Sequence, residues 1–392
     1  LKKKVLLRAP VLSISGYGVH SRQIFKWLES RDDFDVTVQV LQWGNTSWMI
    51  NPDFENGLVE RIMKRTNAEV DGEKYDISVQ VQLPDEWDPS KAKINIGVSA
   101  VVETDVCNKA WLERMELMDH VIIPTSHIKK TIENTGSVST PIHVIPESYI
   151  ESIDDDSIKE TKLDSVDTSF NFLLIGQFTG DDPWNDRKNI FFTIKWFCET
   201  FKDDPDVGLI IKVNHGRGTA IDRQLTKNTI KKLLSEVRKD RFPRIHVIHG
   251  NLSPDEIAGL YKRADVKGLI SLTRGEGFGL PLLEAAAAGL PVIATNWSGH
   301  LDFLGMGKFI PIKYDLIEIP KNRIDNRIFM AGMKWADPSE GDFKKKIKKL
   351  RDKYSLPKQW AIDLSKQIQS EFSLLAVIGK YNKFYHDHVE TV

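Results

Sequence analysis

Short apolar runs alternate with amphipathic stretches along the chain. Runs at 5–14, 36–43, 77–83, 94–102, 121–124 and 142–145 read as strands, and 21–29, 109–118 and 128–134 read as helices between some of them. The segment 151–169 breaks this rhythm: it holds seven acidic residues, two lysines and few large apolar side chains. After it the alternation restarts, with strands expected at 172–175, 207–213, 245–248, 266–272 and 291–295. Helices are expected at 189–201, 222–239, 254–264 and 281–288. About the last 35 residues read as helical and carry Trp360, Phe372, Tyr381, Phe384 and Tyr385.

Strands that alternate with helices imply parallel βαβ units. The pattern predicts an α/β protein of two tandem Rossmann-like, doubly wound domains facing a central cleft. The N-terminal domain is expected over 1–160, with a C-terminal helix at about 370–392 packing back on it, and the second domain over 168–365. In such sheets ligands bind beyond the carboxyl ends of the strands.

Composition narrows the function. The chain has 392 residues, with 54 Lys plus Arg against 55 Asp plus Glu. That balance argues against a dedicated nucleic-acid binder, which carries a basic excess. Two cysteines, Cys107 and Cys198, build neither a disulfide framework nor a zinc site. They suit a reducing compartment, and no apolar run reaches the roughly 18 residues of a membrane span. The expectation is a cytoplasmic protein, at most peripheral to a membrane. The basic stretch 343–354 places Phe343, Ile347, Leu350 and Tyr354 on one helical face. Its lysines read first as a solvated face, and second as a contact for an anionic membrane surface.

One segment carries chemistry. Thr273-Arg274-Gly275-Glu276-Gly277-Phe278-Gly279-Leu280-Pro281-Leu282-Leu283-Glu284 leads a strand through a glycine-rich turn into a helix. Pro281 suits the first helical position, because its missing N–H leaves no bond unmade there. The N–H groups around Gly277, Phe278, Gly279 and Leu280 then form an anion site at a helix N-terminus. Glu276 on the loop and Glu284 in the first turn bracket that site. Carboxylates repel phosphate but accept from hydroxyls. The pattern therefore asks for a ligand with phosphate in the middle and hydroxyls on both sides, the layout of a sugar nucleotide.

Glu276-x7-Glu284 within Gly-Phe-Gly-Leu-Pro, continued by Gly289-Leu290-Pro291-Val292-Ile293-Ala294, resembles the signature of the retaining glycosyltransferases of family 4, which have the GT-B fold. Weaker resemblances extend over the rest of the chain. Gly16-Tyr17-Gly18 follows the first strand, where the family places a glycine turn against the donor's phosphates. Leu174-Ile175-Gly176-Gln177 opens the second domain, and the family usually has a basic residue where Gln177 stands. Lys188 matches the lysine about ten residues later, and Arg187 or Lys212 is expected to supply the missing charge. Asn251 lies in the loop that the resemblance puts near the nucleobase. Asn296-Trp297-Ser298-Gly299-His300 resembles the next donor loop, and Trp335-Ala336-Asp337-Pro338 a late turn.

The resemblance implies a hexosyltransferase-type glycosyltransferase. It would move a sugar from a nucleotide-diphosphate sugar to a glycan, lipid or small-molecule acceptor with retention. Lys188 would stabilise the departing diphosphate and Glu276 would position the sugar ring. Glu284 would accept from the ribose, with no cofactor and no metal. Two other classes fit the same residues: a sugar-nucleotide epimerase on this fold, and a non-catalytic sugar-nucleotide or glycan-binding protein. Among the histidines, His20 stands out by following the glycines, with packing as its plainer role; His386 and His388 read as solvated.

Overall fold

The computed structural model describes residues 2–67, 75–180, 182–214, 216–238 and 240–390. The chain forms two compact units, Leu1–Ser148 with Leu374–Val392, and Tyr149–Ser373.

Unit 1 is built on strands β1 (Lys3–Ala9), β2 (Phe34–Val40), β3 (Tyr75–Val81), β4 (Ala92–Val98), β5 (His120–Ile123) and β6 (Ile142–Val144). Helices α1 (Gly16–Glu29), α2 (Phe54–Lys64), α3 (Ala110–Met115) and α4 (Ser126–Thr135) connect them. All strands run parallel in the order β2-β1-β3-β4-β5-β6. Val5, Leu6 and Leu7 are all buried because both faces of a parallel sheet are covered, hence the continuous apolar run. The strand expected at 5–14 ends earlier, at Ala9, because Pro10 cannot continue the ladder.

The expected glycine turn at 16–18 is instead the first turn of α1. Ser15 caps it by accepting from the Gly18 N–H at 3.1 Å. A Cβ on Gly18 would stand 1.9 Å from the Ser13 carbonyl oxygen, so the glycine serves close approach rather than a turn. Unpredicted α2 opens with Glu55, Asn56 and Gly57 at positive φ, which hides its helical pattern.

Unit 2 contains β7 (Phe170–Gln177), β8 (Val207–Asn214), β9 (Arg244–His249), β10 (Val266–Ser271), β11 (Val292–Thr295) and β12 (Ile310–Ile312). They form a parallel sheet in the order β12-β11-β10-β7-β8-β9. Its helices are α5 (Ile190–Thr200), α6 (Ala220–Val237), α7 (Pro254–Tyr261), α8 (Leu280–Ala287), α9 (Leu301–Leu304), α10 (Glu340–Asp352) and α11 (Ser355–Phe372). Lys239, the expected end of the sixth helix, lies outside the described residues. Alternate residues of β7 feed two cores: Leu173 joins one with Leu269, Leu283 and Ile368, while Phe172 and Leu174 join another with Ile194, Phe343 and Ile347. An antiparallel hairpin, β13 (Tyr314–Glu318) and β14 (Lys334–Pro338), takes the place of the expected turn at 335–338.

The acidic segment belongs to unit 2, and the boundary falls at Ser148–Tyr149. The segment is tied to α7 and the loop after it: the Thr161 N–H donates to Gly259 O at 3.1 Å, and Arg263 donates to Thr161 O at 2.5 Å. Helix α12 (Leu374–His388) returns to unit 1, where Tyr381 stacks on Trp27 of α1 at 4.8 Å. His20 is buried against the same tyrosine, its Nε2 3.1 Å from the Tyr381 hydroxyl. His388 is exposed, as expected, with its ring 4.6 Å from that of His143. In α10, Lys344 pairs with Glu199 and Glu340, and Lys346 with Asp342. Among the described residues no helix is long and apolar enough to cross a membrane. Cys107 and Cys198 are free, buried thiols.

Candidate active site

In unit 2 the chain winds from β7 through β8 to β9 on one side, and from β10 through β11 to β12 on the other. The direction reverses between β7 and β10, so the loops leaving these two strands open a crevice at their carboxyl ends. Lys188 follows β7 and Glu276 follows β10.

The loop before α5 is organised by Asp186, which is fully buried. Its carboxylate accepts from the Thr179 hydroxyl at 2.8 Å, the Lys188 N–H at 3.2 Å and the Ile190 N–H at 2.7 Å. That fixes the backbone of Arg187 and Lys188. The Lys188 ammonium donates to both Glu276 oxygens, at 2.6 and 2.7 Å. Arg187 Nη1 donates to Gly275 O at 2.5 Å and lies 3.7 Å from Glu276 Oε2. Burial alone would raise the Glu276 pKa; the Lys188 and Arg187 charges outweigh it and hold the carboxyl down at about 2. Glu276 is therefore an anion near neutral pH, a hydrogen-bond acceptor rather than an acid. Gln177 is exposed at the end of β7, and the second positive charge beside Glu276 comes from Arg187.

Glu284 belongs to a second cluster. Its carboxylate accepts from the Tyr261 hydroxyl at 2.9 Å. Burial pushes its pKa up to about 7, against the lowering effects of Tyr261 and of the Lys212 charge. Lys212, near the end of β8, donates to Asn214 Oδ1 at 3.1 Å, and Asn214 donates to Asn251 Oδ1 at 2.9 Å. Lys212 thus acts on Glu284, not on the Lys188–Glu276 pair; burial lowers its pKa and Glu284 raises it.

The glycine loop leads into α8 with two differences from the expectation. Leu280 is the first helical residue and Pro281 the second, capped by Gly279 at φ +102°. Glu284 therefore stands in the second turn rather than the first. The Leu282 and Leu283 N–H groups both donate to Gly279 O, at 3.0 and 3.1 Å. Donors directed at a ligand must come from earlier in the loop, from Gly277 to Leu280. The Phe278 side chain packs inward on Phe303 at 5.4 Å, so its part in the expected anion site would come from its backbone N–H. Residues Gly16, Tyr17 and Gly18 belong to unit 1, after β1, where that sheet reverses direction between β1 and β3. The Tyr17 hydroxyl lies 3.1 Å from Ser99 Oγ and accepts from the Ala100 N–H at 3.0 Å, and its ring stacks on Trp43. Among the described residues no group of three or more His, Cys, Asp or Glu is arranged to hold a metal ion.

Residues 188–318, which span this crevice, match the family model described as Glycosyl transferases group 1. Over 148 residues, 37% of this chain, the sequence is 33% identical to a probable sucrose-phosphate synthase of Thermosipho melanesiensis, covering 31% of that protein. Over 123 residues, 31% of this chain, it is 31% identical to a sucrose synthase of Melioribacter roseus, covering 16% of that protein. The alignments span less than a third of either curated relative.

The fold extends the likeness beyond the matched residues. A glycosyltransferase of Rickettsia africae superposes with a TM-score of 0.68 at 14% identity, covering 100% of both chains. A sucrose-phosphate synthase of Thermosynechococcus elongatus gives 0.65 at 12% identity, again over 100% of both. Anabaena HepE, solved with UDP and glucose, gives 0.61 at 12% identity over 97% of this chain and 98% of that one. The two parallel-sheet α/β units share the GT-B fold with these solved structures.

Three residues of the site escaped the sequence reading. Asp186 shows no motif: it stands four residues before α5, outside the N-cap position, which Asn189 occupies. Tyr261 ends α7 as an ordinary apolar-face residue. Asn214 follows a buried strand and gives no signal of its own.

Proposed function

We propose that this chain is a retaining glycosyltransferase. It takes a sugar from a nucleoside-diphosphate sugar and passes it to a hydroxyl of a glycan, lipid or small-molecule acceptor, without a metal ion. The observation that carries the reading is the pairing at the β7–β10 reversal: Lys188 on Glu276, with Arg187 beside them.

Cations placed where charge develops stabilise a leaving group most in a water-poor site. Lys188 and Arg187 take that role toward the diphosphate as the bond from the anomeric carbon to the phosphate oxygen breaks. The acceptor oxygen bonds to the same face of that carbon, and its proton goes to the departing phosphate oxygen. Glu276, held as an anion, accepts from sugar hydroxyls and fixes the ring. Glu284 accepts from the ribose, and Lys212, Asn214 and Asn251 line the nucleoside side. The N–H groups from Gly277 to Leu280 add partial positive charge at the start of α8.

The test is thermal stabilisation by UDP, GDP and ADP, measured on the wild type and Glu284→Ala, with donor consumption assayed with and without EDTA. Saturation at ~100 Kd contributes about 2.7 kcal/mol, a readily measured shift. One nucleotide is expected to stabilise the wild type and to do so less in the variant, with turnover surviving EDTA. UDP is the first to try, since the Anabaena fold relative was solved with it. No shift with any nucleotide and no donor consumed would overturn the reading.

A further inference from the structure

The loop after β11 grips Glu276 through its main chain on both sides. The Glu276 N–H donates to Ser298 Oγ at 2.9 Å, and the Gly299 N–H donates to Glu276 O at 2.9 Å. Ser298 Oγ lies 3.4 Å from His300 Nδ1, and His300 Nε2 lies 2.7 Å from Thr295 O. Thr295, Ser298 and His300 are all buried, so water does not compete for these groups.

The chain of bonds has only one polarity. A carbonyl only accepts, so Nε2 carries the proton of the neutral imidazole. Nδ1 is then the acceptor, and the Ser298 O–H donates to it. That leaves the Ser298 oxygen lone pairs for the Glu276 N–H. Burial lowers the His300 pKa and keeps the ring in this neutral form.

The backbone is held under strain to make this possible. Ser298 has φ +91°, a region that residues with a side chain rarely adopt and that only surrounding contacts sustain. A glycine would remove that strain, but would also remove the hydroxyl. At the next position, a Cβ on Gly299 would stand 2.2 Å from Gly277 O, so the loop is pressed directly against the glycine turn.

We propose that Ser298 and His300 are positioning residues for Glu276: His300 orients the Ser298 hydroxyl, which fixes the Glu276 peptide and sets its carboxylate against Lys188. The inference rests on the glycosyl-transfer reading for its kinetic consequence, while the positioning itself can be measured without turnover.

Three variants test it. Ser298→Gly relieves the strain while deleting the bond. It is expected to keep or raise the unfolding temperature, yet lower kcat on the order of tenfold to a hundredfold with the donor KM nearly unchanged. His300→Asn keeps an acceptor near the Nδ1 position and is expected to retain most of kcat. His300→Leu keeps the bulk without the acceptor and is expected to lose kcat as Ser298→Gly does. Wild-type kcat in Ser298→Gly, or equal losses in the Asn and Leu variants, would overturn the proposal. If no UDP-, GDP- or ADP-sugar is consumed by the wild type, the glycosyl-transfer reading fails on its own. Amide hydrogen exchange at Glu276 then decides the positioning: faster exchange in Ser298→Gly supports it, and an unchanged rate overturns it.

Discussion

The Lys188 ammonium is 2.6 Å from Glu276 Oε1 and 2.7 Å from Oε2, so one cation spans both oxygens of a buried carboxylate. Removing either partner has a different consequence. Lys188→Met leaves the carboxylate with Arg187 at 3.7 Å as its remaining cation. Donor turnover is expected to fall on the order of a hundredfold to a thousandfold, as for loss of other groups that stabilise developing charge. Glu276→Gln keeps the bulk and spares Lys188 for phosphate, so nucleotide binding should persist while turnover is lost. Parallel binding and rate measurements on the two variants check this asymmetry.

The same pair gives a stability signature in acid. The Glu276 pKa is depressed from 4.5 to about 2 in the folded chain. Its contribution is therefore complete above pH 4.5 and is lost as the pH falls through about 2. The unfolding temperature of Lys188→Met should lie below that of the wild type at neutral pH. The gap should narrow between pH 4.5 and 2, and a thermal-melt series over that range reads it directly.

Glu284 works in the opposite sense. Its folded pKa is raised from 4.5 to about 7. The raised value favours folding fully below pH 4.5, and this advantage disappears as the pH rises through about 7. Integrated over that window, the effect is roughly 3 kcal/mol. Glu284→Gln should flatten the stability profile between pH 4.5 and 7 without restoring nucleoside affinity. Melts of both proteins across this window would show it, and equal slopes would count against the buried carboxyl as the source.

In unit 1 the titration belongs to histidine. Burial lowers His20 to about 4, and burial with the His388 and His120 charges lowers His143 to about 4. Their contribution is complete above pH 6.5 and is lost as the pH falls toward 4. His20→Gln keeps a polar partner for Tyr381 and cannot titrate. Its unfolding midpoint should therefore depend less on pH between 6.5 and 4 than that of the wild type.

Two glycines should be intolerant of a methyl group for reasons unrelated to φ. Gly18→Ala drives Cβ to 1.9 Å from Ser13 O, and Gly299→Ala to 2.2 Å from Gly277 O. Each is expected to destabilise by roughly 2 kcal/mol or more, because the clash is with backbone and no side chain can move away. Denaturant unfolding measures both. Only Gly299→Ala should also reduce donor turnover.

Much of the fold was legible because parallel strands are buried on both faces. Val5-Leu6-Leu7 and Phe172-Leu173-Leu174 are apolar without interruption. Strand β12 is three residues long, and β13 has no buried residue and no strict alternation, so neither stands out from a loop. The acidic segment 151–169 reads as a linker because its ties to α7 run largely through main-chain oxygens and N–H groups, which composition does not encode. At the site, Glu276 and Glu284 are visible because their chemistry is in the side chain and their spacing is local, while Lys188, 88 residues from Glu276, is visible only through the family resemblance. Asp186, Ser298 and His300 act by holding other residues' backbone, and such partners are set only when separate loops meet. Lys212 could be placed on a strand end, but not on its side of the crevice.

Helix α12 has a consequence for synthesis. Val377, Tyr381, Phe384, Tyr385 and Val389 belong to the same core as Val5, Ile24 and Phe34. All of unit 2 lies between them in the chain, so the ribosome completes Tyr149–Ser373 before it supplies the helix that closes unit 1. A domain completed first would be expected to fold first. Here the unit begun first receives its last core helix only after the whole of unit 2 has been made.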